Sequence, residues 1–468
     1  MRSLRAVSVE ALLGSFDHDV YFPPEWEFVI IHGPNGVGKT KLFELIRATF
    51  TSDIRRLGEI PFRQAHFLFD DESEIQIARQ LVPFWESSHL GSLPVPDQAI
   101  DIDDEDLTLP KLYFRLLRPG YESVEWSQDA GLPNYQKLWD WYQHLRPTGR
   151  LVRPSMLETP EVVSLLTQTT GLSRSTKRSI AGITERQAPA EAVDFLGSIN
   201  VHLIETQRLL YRPKPDEPEG SEDETQTRVS FLAADLVRRL REALAQSSEI
   251  SQRRDSSFPR RLFLAGPVPK EIPNEYLIER YNEQTKLRDR LGAIGLTETY
   301  EEIPLPTDKL GSWQRRVLWT YLEDSEDKLH SFVDILRRVE LFRNIINSRF
   351  LFKQMKIDRE RGFVFETRAG EEISADKLSS GEQHELVMVY GLLFDVQPGS
   401  LVLIDEPEIS LHPAWQRKFL DDIVHISALT SLRFMIATHS PQIIHKWWNR
   451  TVSLVASEDE YDENHGRA

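Results

Sequence analysis

Phe28-Val29-Ile30-Ile31-His32-Gly33-Pro34-Asn35-Gly36-Val37-Gly38-Lys39-Thr40 runs from an apolar, β-branched segment into a glycine-rich loop that ends in Lys-Thr. Phe28 to Ile31 are apolar without interruption, as a strand buried on both faces requires. Beyond the loop, Leu42, Phe43, Leu45 and Ile46 recur at helical spacing between Lys41 and Phe50. Strand, loop and helix in this order open an α/β domain. In Gly33-Pro34-Asn35-Gly36-Val37-Gly38 every residue but Pro34 offers a backbone N–H to an anion, and the helix beyond adds the positive end of its dipole. Lys39 is placed to reach terminal phosphates, and Thr40 to ligate Mg²⁺. A chance match in a chain of this length is on the order of a few in a hundred, and the strand-loop-helix setting lowers it further.

Two more segments carry chemistry. Leu401-Val402-Leu403-Ile404-Asp405-Glu406 is an apolar strand that ends in paired carboxylates. Alone it could close in a solvated turn. Beside a phosphate loop, Asp405 is suited to hold Mg²⁺ and Glu406 to act as general base on an attacking water. Leu378-Ser379-Ser380-Gly381-Glu382-Gln383 precedes a helix expected over His384–Phe394, and its serines and glycine expose groups that suit an anion. Ser379-x-x-Glu382 and Ser380-x-x-Gln383 also have the spacing of a capping box, so the segment reads equally as a plain helix start.

Taken together, Leu378–Gln383, the Asp405-Glu406 strand downstream of it, Ser410-Leu411-His412, and His439 after Met435-Ile436-Ala437-Thr438 resemble the signature, Walker B, D-loop and switch elements of ATP-binding-cassette ATPases. Ser379 falls on the signature serine, while Ser380 replaces the first of the two usual glycines and leaves Gly381. The resemblance implies that ATP and Mg²⁺ bind at Gly33–Thr40. It assigns Thr40 and Asp405 to the metal, and Lys39, Glu406 and His439 to catalysis. Ser379, Ser380, Gly381 and Glu382 would meet the nucleotide of a second copy, so the chain is expected to be at least a homodimer. A Q-loop glutamine is expected at Gln207, after Val201-His202-Leu203-Ile204, with Gln64 as second choice.

The organisation is similar to the heads of the structural-maintenance-of-chromosomes, RecF and overcoming-lysogenisation-defect ATPases. It is an α/β head whose halves are separated by a long, mainly helical insertion. The expected layout has the N-terminal lobe at 1–75, a mainly helical insertion at 76–198, and a returning core strand with the Q-loop at 199–212. An acidic linker at 213–227, a helical, coiled-coil-like region at 228–360, the C-terminal lobe at 361–455 and an acidic tail at 456–468 complete it. Within the helical region, one helix is expected from Arg228 to Ser251, one from Tyr276 to Leu291 and one from Ser312 to Asn347. More narrowly, Ser379–Glu385 and Ile404–His412 are similar to ATPase subunits of bacterial anti-phage systems, first the AriA family of PARIS and then the PtuA family of Septu. Asn344–Phe352 and Asp255–Leu262 extend the AriA resemblance. It implies a sensor that oligomerises and restrains a separately encoded toprim-type nuclease until a phage protein triggers release.

The composition bounds the alternatives. The 468 residues carry 73 acidic and 56 basic side chains, a formal charge of −17, and 40% are hydrophobic. A large core is possible, and a uniformly basic nucleic-acid coat is not. The absence of cysteine excludes disulfide scaffolds, thiol nucleophiles and cysteine-ligated zinc. No apolar run nears the ~20 residues of a membrane span, and Met1–Glu10 does not read as a signal peptide, so a cytoplasmic protein without membrane partners is expected. With only residues 440–468 after His439, no toprim domain is expected on this chain. The competing reading is a DNA-repair or chromosome-organising ATPase that binds DNA directly through Arg238-Arg239, Arg253-Arg254, Arg260-Arg261 and Arg315-Arg316. A transporter ATPase is disfavoured by the size of the insertion.

Overall fold

A computed structural model describes residues 2–83, 108–130, 188–205, 228–264, 272–297, 305, 310–409 and 411–454. The chain divides into two compact units, one of residues 1–205, 398–407 and 432–468, the other of 206–397 and 408–431.

The first unit is built on a parallel sheet ordered β14 (Thr451–Ser453), β3 (Phe28–His32), β13 (Arg433–Ala437), β12 (Leu401–Asp405) and β8 (Val201–Glu205). Phe28–Ile31, Val402–Ile404 and Phe434–Ala437 are fully buried, which is why these strands read as unbroken apolar runs. Helix α1 (Lys39–Phe50) comes after the loop that leaves β3 and packs against β8 and β12; α2 (Ile54–Glu59) is next. A second, antiparallel sheet is ordered β2 (Phe16–Tyr21), β1 (Leu4–Leu12), β4 (Gln64–Phe69), β5 (Glu74–Pro83), β6 (Thr108–Leu117) and β7 (Val124–Asp129). Helix α3 (Ala190–Gly197) lies between these strands and β8 in sequence.

The expectation of a mainly helical segment over 76–198 fails in its described residues, whose regular elements are strands except for α3. The period-two signal is present: Ile75 and Ile77 face Leu116 and Phe114, and all four are buried. The hairpin is long, from Glu74 opposite Leu117 to Pro83 opposite Thr108. Its two strands are separated by residues 84–107, so the alternation is broken into pieces too short to read as a pair.

The second unit is largely helical. It contains α4 (Arg228–Leu264), α5 (Asn274–Gly292), α6 (Ser312–His330) and α7 (Val333–Arg349), then a small antiparallel sheet of β9 (Lys353–Asp358), β10 (Gly362–Thr367) and β11 (Glu372–Ile373). Then come α8 (Ser380–Tyr390), a π-turn over Gly391–Asp395, and α9 (Pro413–Thr430). The single helix expected from Ser312 to Asn347 is two, because the Ser331 hydroxyl donates to the Lys328 carbonyl at 2.7 Å and closes α6. α4 runs beyond the expected Ser251 to Leu264. Its distal half packs on α6 through charge: Arg254 pairs with Asp327, Arg261 with Asp324, and Lys328 with Asp255 at 2.7 Å. An apolar seam of Leu277, Leu318 and Leu322 joins α5 to α6.

The C-terminal lobe expected over 361–455 is thus shared. Residues 398–407 and 432–454 belong with the P-loop, while α8 and α9 belong with the helical unit. The linker expected at 213–227 and the tail at 456–468 lie outside the described residues.

Candidate functional site

The loop after β3 is shaped by local sterics. A Cβ on Gly33 would sit 2.4 Å from the Leu454 carbonyl oxygen, closer than any side chain allows. Gly38 adopts φ +91°, a left-handed conformation that favours glycine, and caps α1 without a side-chain bond. The first-turn N–H groups of α1 therefore point into the loop, the arrangement that binds phosphate. Lys39 is buried and folds back over the loop, its ammonium donating to the carbonyls of Gly33 at 3.1 Å and Pro34 at 2.9 Å. The charge is felt nearby. Burial, and then the Lys39 ammonium, push the His32 imidazole below the usual histidine range.

Thr40 and Asp405 are 365 positions apart in sequence, yet the Thr40 hydroxyl donates to Asp405 Oδ2 at 2.6 Å. A hydroxyl and a carboxylate oxygen side by side are hard donors of the type Mg²⁺ takes, and the ion keeps its other positions for water and phosphate oxygens. The donor set fits the metal. Glu406 is next, in a left-handed conformation, φ +46°, and its N–H donates to the Ala437 carbonyl at 2.9 Å. A non-glycine residue held there stores on the order of 1–2 kcal/mol, which the sheet pairing on both sides must offset. The bend brings Glu406 Oε1 to 3.6 Å from Nε2 of His439, at the end of β13. Thr438, wholly buried, fixes that end: its N–H donates to the Ile31 carbonyl at 3.1 Å, and its hydroxyl accepts from the Ser440 N–H at 3.0 Å.

The parallel strands β3, β12 and β13 thus deliver the loop, the two carboxylates and the histidine at their carboxyl ends, where open α/β sheets bind ligands. β8 lies beside β12 with Glu205 opposite Asp405, so it leaves the sheet at the same edge. Gln207 itself lies outside the described residues, as does Ser410. Gln64, the second Q-loop choice, lies on β4 in the antiparallel sheet, opposite Ala78 and Glu10.

One residue of this site was not legible in the sequence. His18, on β2, is buried, stacks on Phe16 and brings Nε2 to 2.6 Å from the Val37 carbonyl. Because that oxygen only accepts, Nε2 carries the proton. His18 therefore holds the phosphate loop from the antiparallel sheet. Alternation along β2 places it inward with Val20, but nothing in Asp17-His18-Asp19 marks its partner.

In the second unit, Ser379 caps α8. Glu382 Oε2 accepts from the Ser379 N–H at 2.8 Å and from its hydroxyl at 2.9 Å, and Ser379 Oγ accepts from the Glu382 N–H at 3.4 Å. The capping-box reading therefore holds at this position. Lys353 adds a salt bridge to the same carboxylate at 2.7 Å. Burial would raise the Glu382 pKa, but the Lys353 ammonium and the Ser379 donors outweigh it and hold the carboxyl below its ordinary value. Ser379 and Ser380 are exposed, and the space around Gly381 is open. At the start of α9, the Nδ1 of His412 accepts from the Ala414 N–H at 3.2 Å.

Residues 205–445 match the family model described as "AAA domain, putative AbiEii toxin, Type IV TA system", just over half of the chain. The chain belongs to this family. The match takes in Ser379–Glu382 and Asp405–His439 and begins after the Gly33–Thr40 loop, which its own pattern and geometry identify. The fold is that of an α/β P-loop ATPase with a long helical region.

Curated relatives of this family member include the retron Vc95 probable ATPase of Vibrio cholerae serotype O1 biovar El Tor, 24% identical over 29% of this chain and 32% of the relative. The retron Ec83 probable ATPase of Escherichia coli is 25% identical over 24% of this chain and 22% of the relative. The phosphonates import ATP-binding protein PhnC 1 of a Nostoc species is 28% identical over 19% and 32%. The chain therefore spans about a third or less of the length of these relatives. Similar solved structures include the Smc head domain with an extended coiled coil bound to the C-terminal domain of ScpA, from Pyrococcus furiosus. It is 12% identical, with a TM-score of 0.33, over 97% of this chain and 94% of that one. Among the described residues no helix is long and apolar enough to cross a membrane.

Proposed function

We propose that this chain is a cytoplasmic, ATP-hydrolysing sensor subunit of a bacterial anti-phage defence system, which assembles into at least a dimer and controls a separately encoded nuclease. The observation that carries the ATPase reading is the 2.6 Å contact between Thr40 and Asp405, which joins the phosphate loop and the carboxylate strand into one site. The retron relatives support the defence setting. The likeness of Ile404–His412 to AriA supports a toprim-type nuclease as the effector and a phage protein as the trigger.

In this reading the Gly33–Gly38 loop, through the N–H groups of all its residues but Pro34, and the start of α1 bind the phosphates. Lys39 turns from its two loop carbonyls to the terminal phosphate. Bound Mg²⁺, held by Thr40 and Asp405, would neutralise charge on the phosphate oxygens. Glu406 accepts the proton of the attacking water, while His439, 3.6 Å away, orients that carboxylate and meets the γ-phosphate. Ser379 and Gly381 complete the site of a second copy.

Mixed assemblies test the shared site. Lys39→Ala and Ser379→Ala proteins, each inactive, should recover ATPase activity when mixed, because one composite site then has both intact halves. Absence of recovery, with subunit exchange demonstrated, would count against sharing. Nuclease activity should require the neighbouring nuclease together with the phage trigger; cleavage of DNA or RNA by this chain alone would overturn the sensor reading. Direct DNA binding has less support. Arg238 pairs with Asp235 and Glu242, Arg253 with Glu249, and Arg254 and Arg261 with Asp324, so these arginines are matched by carboxylates on the same helical unit.

A further inference from the structure

The Asn344–Phe352 segment, singled out in the sequence, has no part in the mechanism above. It ends α7 and leads into β9. Asn347 forms a double hydrogen bond with the backbone of Met355, its amide donating to the carbonyl at 3.1 Å and its oxygen accepting from the N–H at 2.6 Å. Two residues on, the Arg349 side chain is almost fully buried. Its guanidinium donates to Glu385, wholly buried on α8, and to Asp422 on α9. The Arg349 carbonyl accepts from the indole N–H of Trp415 at 3.2 Å, and the Trp415 ring stacks on Phe350. On α9, Gln416 donates to the carbonyls of Glu408 at 3.4 Å and Leu411 at 3.3 Å. A chain of contacts therefore runs from the helix that Ser379 caps, through Arg349, to the segment that leads from the Walker B strand into α9.

Stability alone is a poor explanation for this arrangement. A buried ion pair is expensive to desolvate, and well-packed apolar side chains in its place are often neutral or better. This one is also incomplete: Arg349 Nε and Glu385 Oε2 are buried with no hydrogen-bond partner among the described residues. The pairing supplies direction instead, since a forked guanidinium fixes the angle between two carboxylates on two helices.

We infer that Arg349 is a positioning residue for ATP hydrolysis, which holds the Ser379 helix and the Glu408 and Leu411 backbone in one fixed geometry through Glu385, Asp422 and α9. The inference deepens the shared-site reading and rests on it. Arg349 lies outside the unit that contains the phosphate loop, so its loss should separate turnover from nucleotide binding.

The test uses the full chain. Arg349→Met leaves Glu385 buried beside an apolar side chain, so it is paired with the double variant R349M/E385L, which replaces the ion pair by packing. Both should bind ATP in the absence of turnover with a Kd within about threefold of wild type, and hydrolyse it at least tenfold more slowly at saturation. A double variant that is as thermally stable as wild type yet still slow separates positioning from folding. In mixed assemblies Arg349→Met should behave as a signature-side variant, restoring activity to Lys39→Ala but not to Ser379→Ala. Wild-type turnover in the double variant, loss of ATP binding in both variants, or rescue of Ser379→Ala would overturn the inference. If the Lys39→Ala and Ser379→Ala controls fail to rescue each other while the Arg349 variants still bind ATP and turn over slowly, the shared site falls and the positioning role stands.

Discussion

The phosphate loop and the Ser379 helix are mounted in different ways. The loop grows out of β3, where Val29 to Ile31 are wholly buried, and its carbonyls are tied by His18 at Val37 and by its own Lys39 at Gly33 and Pro34. The Ser379 helix is held at intervals by charge: Lys353 at Glu382, Arg349 at Glu385, and at its last residue Tyr390, whose hydroxyl donates to Asp235 at 2.6 Å. Asp235 in turn accepts from Arg239 at 2.6 Å. Apolar packing is non-directional, whereas each charged tie fixes an angle between the groups it joins. The difference places non-directional packing beneath the phosphates and angle-fixing charged ties on the element proposed to meet them from another copy.

The sharpest way to break this comparison is chemical. Glu406→Gln retains the bend at φ +46° but cannot accept a proton, so turnover should fall ~10²–10⁴-fold while ATP still binds. Single-turnover assays beside equilibrium binding measure the split, and normal turnover would move the base elsewhere. A smaller effect is expected at the mount of the loop. His18→Leu leaves the Val37 carbonyl without its partner, which costs about 1–3 kcal/mol of stability in thermal or denaturant unfolding. ATP affinity should weaken as well, and the rescue of Ser379→Ala by this variant should persist, because His18 serves the loop side.

The smallest effect belongs to the charged mount. Ser379→Ala removes one cap and should cost about 1 kcal/mol of stability. Glu382 supplies the pH dependence. Its folded pKa lies below the unfolded value, so its contribution is complete above the ordinary glutamate range and is lost as pH falls through the lowered native value. Lys353→Met should shrink that acid-side loss. An unfolding profile below pH 5 that is identical in wild type and Lys353→Met would show that the ion pair adds nothing.

Much of the site was legible because its chemistry depends on short, contiguous patterns. Gly33–Thr40 marks the turn from a buried strand into a helix, Leu401–Glu406 marks a buried strand with carboxylates at its end, and α1, β12 and β13 lie within a few residues of the expected positions. The antiparallel sheet was not legible, because the β5–β6 pairing spans residues 84–107 and no local pattern declares a partner that far away. His18 and Arg349 were missed for a related reason. Each looks ordinary in its own element, and its role exists only through Val37, Glu385 and Asp422, contacts that periodicity cannot supply. The break at Ser331 was hidden by the continuous apolar spacing from Leu329 to Ile346, which carries on through the joint between two helices.

The β5–β6 ladder has a consequence for how such a chain can diversify. Pro83 and Thr108 stand opposite each other, so whatever joins them starts and finishes at neighbouring points on the sheet. Trading the 84–107 connection for a four-residue turn would change the closure entropy by only about 1.5 kcal/mol. The hairpin is therefore a socket: passenger sequences of very different length can be plugged in there over evolutionary time, or by an engineer, without disturbing the register beneath.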